Sequence, residues 1–159
     1  MLDYTLVSPK ATYRMPTPRD LPALAAMVQA FYRECQPGVE VAPQQVLSTV
    51  QELAADKGKG SFFVFECEGE PAGYAILIRY WSNELGGTVL VVDELFVEPS
   101  RRGKGIAGDF LGLLRKVAPE GTRALQAEVG RANRRAQGLL RKAGFLDTGR
   151  RVWSASWEA

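Results

Sequence analysis

The sequence contains no histidine among its 159 residues. This absence excludes nucleophilic devices of the Ser-His-Asp and Cys-His kinds, as well as metal sites built on imidazole. A general base in this protein therefore has to be a carboxylate, a tyrosine, a lysine or a chain of water molecules. No metal site is predicted.

Cysteine is also scarce. Cys35 and Cys67 are the only two, and neither has a spacing that is typical of metal ligands. We interpret both as reduced thiols, which favours a cytoplasmic protein. Because neither lies in an electropositive motif, a mechanism with a cysteine nucleophile is not expected.

Long apolar runs and excess charge are missing as well. No run approaches the roughly 18 apolar residues of a membrane span, and the amino-terminal segment MLDYTLVSPKATYR lacks the apolar core of a signal peptide. The formal net charge of +2 is too small to favour binding of nucleic acid over the whole surface. We therefore expect neither a membrane nor a nucleic-acid partner. The length favours one domain over residues 1–159, with residues 1–10 as a loosely held leader.

Hydrophobic periodicity predicts alternating helices and strands. The predicted strands are 11–16, 61–67, 72–80, 88–97 and 122–129, with one or two more within 145–157. The predicted helices follow Asp20, begin at Pro43, follow Gly105 and span 133–143. This order, βααβββαβαβ(β), predicts an α/β protein with a mixed sheet and helices on both faces.

The segment from Val89 to Val117 combines a buried strand, a cationic glycine-rich loop and an amphipathic helix. Glycines let a ligand approach the backbone, and the free N–H groups of a first helical turn attract anions. The segment therefore predicts a phosphate site. The spacing of Gly103, Gly105 and Gly108 also matches a dinucleotide fingerprint, but residues 98–102 separate the strand from the first glycine and too few βα units follow.

Two separated runs, LFVEPSRRGKGIAGDFL and NRRAQGLLRKAGF, carry a more specific resemblance. They resemble the two motifs of the GNAT family of N-acetyltransferases. The matching residues are Val97, Pro99, Arg102, Gly103, Gly105, Ile106 and Ala107, then Asn133, Ala136, Leu139, Lys142, Gly144 and Phe145. The resemblance implies the GNAT fold, in which a mixed, mostly antiparallel sheet splays between its fourth and fifth strands. It also implies an enzyme that acetylates amines.

The same resemblance implies acetyl-coenzyme A as the co-substrate. The loop amides would bind its pyrophosphate, and the strand segment Leu95, Phe96 and Val97 would pair through its main chain with the pantetheine arm. Asn133 would contact the pantetheine region. The implied loop residues are Arg102, Gly103, Lys104, Gly105, Ile106, Ala107 and Gly108.

Asp93 and Glu94 are both candidates for the catalytic base. A carboxylate in an otherwise apolar strand needs a partner or a function, and in a cleft it can attract a cationic amine and accept its proton. Adjacent strand residues point to opposite faces, so only one acid is expected to line the cleft unless a bulge lies between them.

One position departs from the family pattern. The tyrosine that usually protonates the departing thiolate corresponds here to Leu140, which has no proton to donate. Tyr32, Tyr74, Tyr80 and solvent remain as alternative donors. Tyr32, Tyr80 and Trp81 are also predicted to shape an amine pocket through cation–π contacts.

We therefore expect direct acetyl transfer, in a ternary complex, to a primary amine of a small molecule such as a polyamine or an amino acid. The run GYAILIRYWSNELGGTVLVVDELFVEP further resembles the diamine acetyltransferase-like subgroup. The alternatives are a protein N-terminus or lysine as the acceptor, and a non-catalytic acyl-coenzyme A-binding module. Members of the family are often homodimers, and the resemblance is compatible with a homodimer here.

Overall fold

A six-stranded sheet runs through the computed structural model, which describes residues 5–157. Its strands are β1 (Leu6–Val7), β2 (Thr12–Arg14), β3 (Gly60–Cys67), β4 (Glu70–Ser82), β5 (Gly87–Val97) and β6 (Thr122–Ala127). The strands lie side by side in chain order, and all neighbours are antiparallel except β5 and β6, which are parallel. The predicted mixed, mostly antiparallel sheet is confirmed.

Helices cover both faces of this sheet. They are α1 (Leu21–Cys35), α2 (Pro43–Ala55), α3 (Ile106–Val117) and α4 (Arg134–Lys142). We call the face that packs on α1 and α2 the α1 face, and the opposite one the α3 face. The α1 face is filled by Leu24, Met27, Val46, Leu53, Phe62, Val64, Tyr74, Ile76 and Phe96. The α3 face is filled mainly by Tyr13, Phe63, Phe65, Leu77, Leu90, Val92, Phe110, Leu111 and Leu114. None of the described helices is long and apolar enough to cross a membrane.

A buried charged corner fixes the start of α1. Asp20 is 1% exposed and accepts hydrogen bonds from the main-chain N–H and the hydroxyl of Thr17, both at 2.7 Å. The guanidinium of Arg14 reaches both carboxylate oxygens of Asp20 and also binds Glu66. These hydrogen bonds, above all the one from Arg14, hold the pKa of Asp20 well below its usual range. The first helix is thereby anchored to β2 and β3.

The amino-terminal segment is more ordered than the sequence predicts. Residues 1–10 are expected to be a loose leader, but Leu6–Val7 form β1 and pair with β2. The side chain of Leu6 is buried in the core of the α3 face, which explains why this part of the leader is held. Residues 1–4 lie outside the described residues.

The prediction of final strands within residues 145–157 is wrong, because no strand lies in this segment. The alternation of Trp153, Ala155 and Trp157 with serines is typical of a strand, but a strand is stable only where its main chain finds a partner. Here the main chain joins no ladder, and Trp153 and Trp157 are 89% and 91% exposed.

Candidate active site

β5 and β6 separate halfway along β5. Their ladder ends at the pair Val92 and Ala127, while residues 94–97 remain paired with β4 on the other side. The edge of β5 that faces β6 is therefore open over Leu95, Phe96 and Val97, and an open strand edge can pair with an extended ligand. The splay lies where the family resemblance implies it. β5 and β6 are the fourth and fifth of the predicted strands, since β1 is not among those.

A bulge at Asp93 marks the point of separation. Ile76 of β4 is opposite Glu94, but the next residue, Leu77, is opposite Val92, so Asp93 is an extra residue in β5. Val92 packs into the core of the α3 face, whereas Glu94 contacts tyrosines of the α1 face. In a regular strand residues two apart share a face, and the bulge breaks this rule. The bulge considered in the sequence analysis is thus present.

Both acids act on Tyr32, Glu94 through a hydrogen bond and Asp93 through its charge. Asp93 is exposed, and its negative charge, together with that of Glu94, helps to raise the pKa of Tyr32, although burial is the larger cause. Partial desolvation also raises the pKa of Asp93. Two neighbouring carboxylates with hindered hydration form a site that favours a cationic or proton-donating ligand.

Glu94 is held between two phenols. Its side chain is 7% exposed, and it accepts a hydrogen bond from Tyr32 at Oε1 (2.8 Å) and from Tyr74 at Oε2 (2.6 Å). Burial raises the pKa of Glu94, whereas both hydrogen bonds act in the opposite direction because they stabilise the carboxylate. Tyr74 is fully buried in β4, while Tyr32 in α1 is half-buried.

The glycine-rich loop leads from β5 into α3. After a 3-10 turn (Pro99–Arg101), Gly103 and Gly105 both adopt φ of +79°, which is costly for any residue with a side chain. Gly105 is the N-cap of α3. The first-turn N–H groups of Ile106, Ala107 and Gly108 therefore have no partner within the helix.

Lys10 lies against this loop, which the sequence analysis missed. A methyl group added to Gly105 would overlap the Lys10 ammonium, so the two are in close contact. Lys10, Arg101 and Lys104 line one surface cleft of about 480 Å³ beside the loop. Because Lys10, which precedes β2, is distant in the chain from α3, no local signal connects it to the glycines.

The side chain of Arg102 binds the loop to the rest of the site. Its Nε donates to the carbonyl oxygen of Val97 at 2.7 Å, and its guanidinium lies 5.1 Å from the centre of the Phe96 ring. Nη2 of Arg102 and Nη2 of Arg135 both bind the carboxylate of Glu34, at 2.8 and 3.2 Å. Arg102 in particular lowers the pKa of Glu34. Glu34 was not predicted as a site residue.

α4 approaches the end of α1 through Asn133. Its Oδ1 accepts a hydrogen bond from the N–H of Ala136 at 3.0 Å, which caps the helix, and its Nδ2 lies 3.8 Å from the sulfur of Cys35. Leu140 packs partly buried against the core of the α3 face, so α4 presents no hydroxyl at that position. The end of α1 thus contacts both the loop and α4.

Two of the three predicted amine-pocket residues lie on one face of the sheet. Tyr80 follows Tyr74 at even spacing in β4, and its hydroxyl donates to Oε1 of Gln126 in β6 at 2.9 Å, on the α1 face with Tyr32. Trp81 is adjacent to Tyr80, hence on the opposite face, and is 70% exposed. The structure does not bring Trp81 to the group around Glu94.

Comparison with known proteins points to one family. The model of the Acetyltransferase (GNAT) family matches residues 24–145. No curated protein matches the sequence at a significant level. Among solved structures, the integron cassette protein HFX_CASS3 from the mobile metagenome of Cole Harbour Salt Marsh is 26% identical, with a TM-score of 0.76 over 92% of this chain and 91% of that one.

Two enzymes share the fold at lower identity. The aminoglycoside N-acetyltransferase AAC(6')-Iy in complex with CoA is 19% identical, with a TM-score of 0.74 over 95% of this chain and 99% of that one. Ribosomal-protein-alanine N-acetyltransferase from Brucella melitensis biovar Abortus 2308 is 17% identical, with a TM-score of 0.66 over 94% of this chain and 98% of that one.

Proposed function

Because the chain belongs to the GNAT acetyltransferase family, whose members use acetyl-coenzyme A, we propose that it transfers the acetyl group directly to a primary amine of a small cationic molecule. The family predicted from the two sequence motifs is confirmed. The acceptor, the direct transfer in a ternary complex and the residues that bind each substrate are parts of the proposal.

The observation that carries the choice of acceptor is the pair of carboxylates at the point where β5 and β6 separate. Asp93 is exposed there, and Glu94 lies behind it with the hydroxyls of Tyr32 and Tyr74. An alkyl ammonium, with a pKa near 10.4 by analogy with lysine, is attracted by such a site and has to lose a proton before its nitrogen can attack. Asp93 binds the cation in this proposal.

The residues that follow the two acids in the chain fit acetyl-coenzyme A. The open edge of β5 at Leu95, Phe96 and Val97 offers main-chain groups to an extended pantetheine arm. The positive φ of Gly103 and Gly105 turns the loop so that it leads into the free N–H groups of α3, where a pyrophosphate is favoured. When bound, acetyl-coenzyme A supplies an activated acetyl thioester.

Tyr32 and Tyr80 border the proposed amine pocket from α1 and β4. Aromatic faces near a carboxylate suit an ammonium group, because cation–π and ion-pair attraction add. The resemblance to diamine acetyltransferases supports diamines and polyamines as the first acceptors to test. The second charge of a diamine would also be attracted by the combined negative charge of Asp93 and Glu94.

Thiol release from acetyl-coenzyme A tests the proposal over a panel of diamines, polyamines, amino acids, aminoglycosides and peptides. We expect the small cationic amines to have the highest kcat/KM and their KM to rise with salt. Preference for a peptide amine would contradict the proposed acceptor class. Failure of acetyl-coenzyme A to raise the melting temperature would contradict the proposed coenzyme site.

A further inference from the structure

The two oxygens of Glu94 have unequal surroundings. Oε2 bonds to Tyr74, which is fully buried, whereas Oε1 bonds to Tyr32, which is half-buried at the end of α1. Glu94 is only 7% exposed, so Tyr32 is the most exposed of these three side chains. Of the two phenols bonded to Glu94, Tyr32 is therefore the one that connects it to the protein surface.

The other tyrosines in the described part of the chain are either bonded to other groups or fully buried. Tyr13 donates to the carbonyl oxygen of Ile106 and to Asp109 on the α3 face. Tyr80 donates to Gln126, and Tyr74 has no exposed surface. Leu140 on α4 is aliphatic. Within residues 5–157, Tyr32 is thus the tyrosine that is both partly accessible and bonded to a carboxylate at the strand separation.

Contacts close to Tyr32 fix the position of the last turn of α1. Two residues further along α1, Glu34 binds Arg102 of the glycine-rich loop and Arg135 of α4. The next residue, Cys35, lies 3.8 Å from Nδ2 of Asn133. The last turn of α1 is therefore held between the start of α4 and the glycine-rich loop, which follows the open edge of β5.

We propose that Tyr32 relays the proton from the attacking amine to the departing sulfur, with Glu94 as the group that stores it between the two steps. This inference rests on the acetyl transfer proposed above. It makes Tyr32 a catalytic residue and Tyr74 a positioning residue that holds Oε2 of Glu94.

The relay balances. The C–N bond forms and the C–S bond breaks, so the neutral amine loses one proton and the sulfur gains one. Tyr32 takes the proton from nitrogen while it passes its own to Oε1 of Glu94, and the reverse movement delivers a proton to sulfur. Both residues end as they began, and the earlier proton of the ammonium form leaves through Asp93 to water.

Charge explains why the phenol needs the carboxyl group behind it. Burial and the charges of Glu94 and Asp93 raise the pKa of Tyr32, so the phenol alone is a poor donor to a thiolate. Once Glu94 is protonated, Tyr32 can give its proton to the sulfur, because Glu94 supplies Tyr32 with another proton at the same time. Tyr74 on β4, Asp93 on β5 and Cys35 on α1 interact electrostatically with this pair. Glu34, next to Cys35, is itself paired with Arg102 of the loop and Arg135 of α4.

Kinetics of Tyr32→Phe and of the matched variant Tyr74→Phe test the relay with the best acceptor of the panel. Tyr32→Phe should lower kcat about 100-fold or more, with the Kd for coenzyme A and the KM for the amine changed by less than about threefold. Tyr74→Phe should lower kcat less than about tenfold, because Glu94 keeps its route to the cleft. Replacement of Tyr32 by 3,5-difluorotyrosine, a more acidic phenol, should shift the basic limb of the kcat profile to lower pH.

A second readout needs no substrate. The ¹³C signal of the Glu94 carboxyl group should titrate at higher pH in both variants, because each loses a hydrogen bond that stabilises the carboxylate. If the wild type is active, three results would overturn the relay alone. They are full activity of Tyr32→Phe, equal losses of kcat in the two variants, and an unchanged titration of Glu94 in Tyr32→Phe. Absence of thiol release by the wild type with every amine would overturn the proposed function, and the relay with it.

Discussion

The guanidinium of Arg102 lies 2.8 Å from the carboxylate of Glu34, and this ion pair joins the glycine-rich loop to the last turn of α1. Arg102 also donates to the carbonyl oxygen of Val97, at the end of the open strand edge. A single side chain of the proposed coenzyme loop therefore contacts both the proposed pantetheine strand and the helix that carries Tyr32. This makes Arg102 a direct test of how the two halves of the site depend on each other.

We expect Arg102→Ala to weaken binding of coenzyme A by about 10- to 100-fold, which corresponds to roughly 1.5–3 kcal/mol for hydrogen bonds of a charged group. The loop would lose its contacts with Val97, Phe96 and Glu34, and the site one positive charge. Arg102→Lys, which keeps the charge but not the planar fork, should fall between alanine and wild type. Isothermal titration calorimetry measures both, and wild-type affinity in the alanine variant would refute the role of this side chain.

Alanine at Gly105 should damage the phosphate loop more than the fold. A left-handed backbone costs a residue with a side chain roughly 1–2 kcal/mol, and the new methyl would displace Lys10. We expect lower affinity for coenzyme A together with a small drop in the melting temperature. Gly112 is the matched control in α3, since no atom lies within 4 Å of the added methyl. Gly112→Ala should stabilise the protein by about 0.5–1 kcal/mol and leave the affinity unchanged.

Asp93→Asn tests the cation-binding role of the exposed acid. Loss of the negative charge should raise the KM for a diamine about tenfold at low ionic strength and reduce its dependence on salt. The Kd for coenzyme A should stay the same. Glu120→Gln is a suitable control, because Glu120 is exposed in the turn before β6, at the opposite end of that strand. An equal effect of the two variants would indicate general attraction by surface charge.

The pH profile tests Glu94. Because burial raises its pKa, its carboxyl group remains protonated above the usual glutamate range near 4.3 and is ready as a base only at higher pH. Activity should therefore fall as the pH drops through a value above 4.3. Glu94→Gln should remove this limb and lower kcat by roughly 10²- to 10⁴-fold without weakening coenzyme A binding. A variant that keeps the limb would assign it to Asp93 or to the amine.

The sequence predicts well those features that depend on residues close together in the chain. Pro43 at the start of α2, the hairpin of β3 and β4, and the glycines before α3 all depend on residues within one turn or strand. The two acids were recognised because carboxylates are rare in an apolar strand. The family motifs added the separation of β5 and β6, which periodicity cannot show.

The remaining features depend on contacts between distant parts of the chain. Glu34 and Arg102 are 68 positions apart, and the bond from Tyr32 to Glu94 spans 62. The packing of α1 on the sheet determines which of these residues meet. The spacing of side chains along the sequence does not predict that packing. The strand pattern before Trp157 failed for a related reason, since alternation cannot say whether a partner strand is available.

Asp20→Asn should reveal how strongly the buried corner stabilises α1. The variant removes the ion pair between Asp20 and Arg14, while Arg14 keeps its pair with Glu66. We therefore expect a loss of about 1.5–3 kcal/mol in the free energy of unfolding at pH 7, the range for hydrogen bonds of a charged group. The pKa of Asp20 is lower in the folded than in the unfolded protein, so its stabilising effect is complete above the unfolded pKa near 3.9 and is lost as the pH falls below it. The difference between variant and wild type in urea denaturation should accordingly shrink below pH 4.

Glu84→Gln, at an exposed pair with Arg150, is the control and should cost at most about 1 kcal/mol. A loss that small for Asp20→Asn would mean that the corner contributes little.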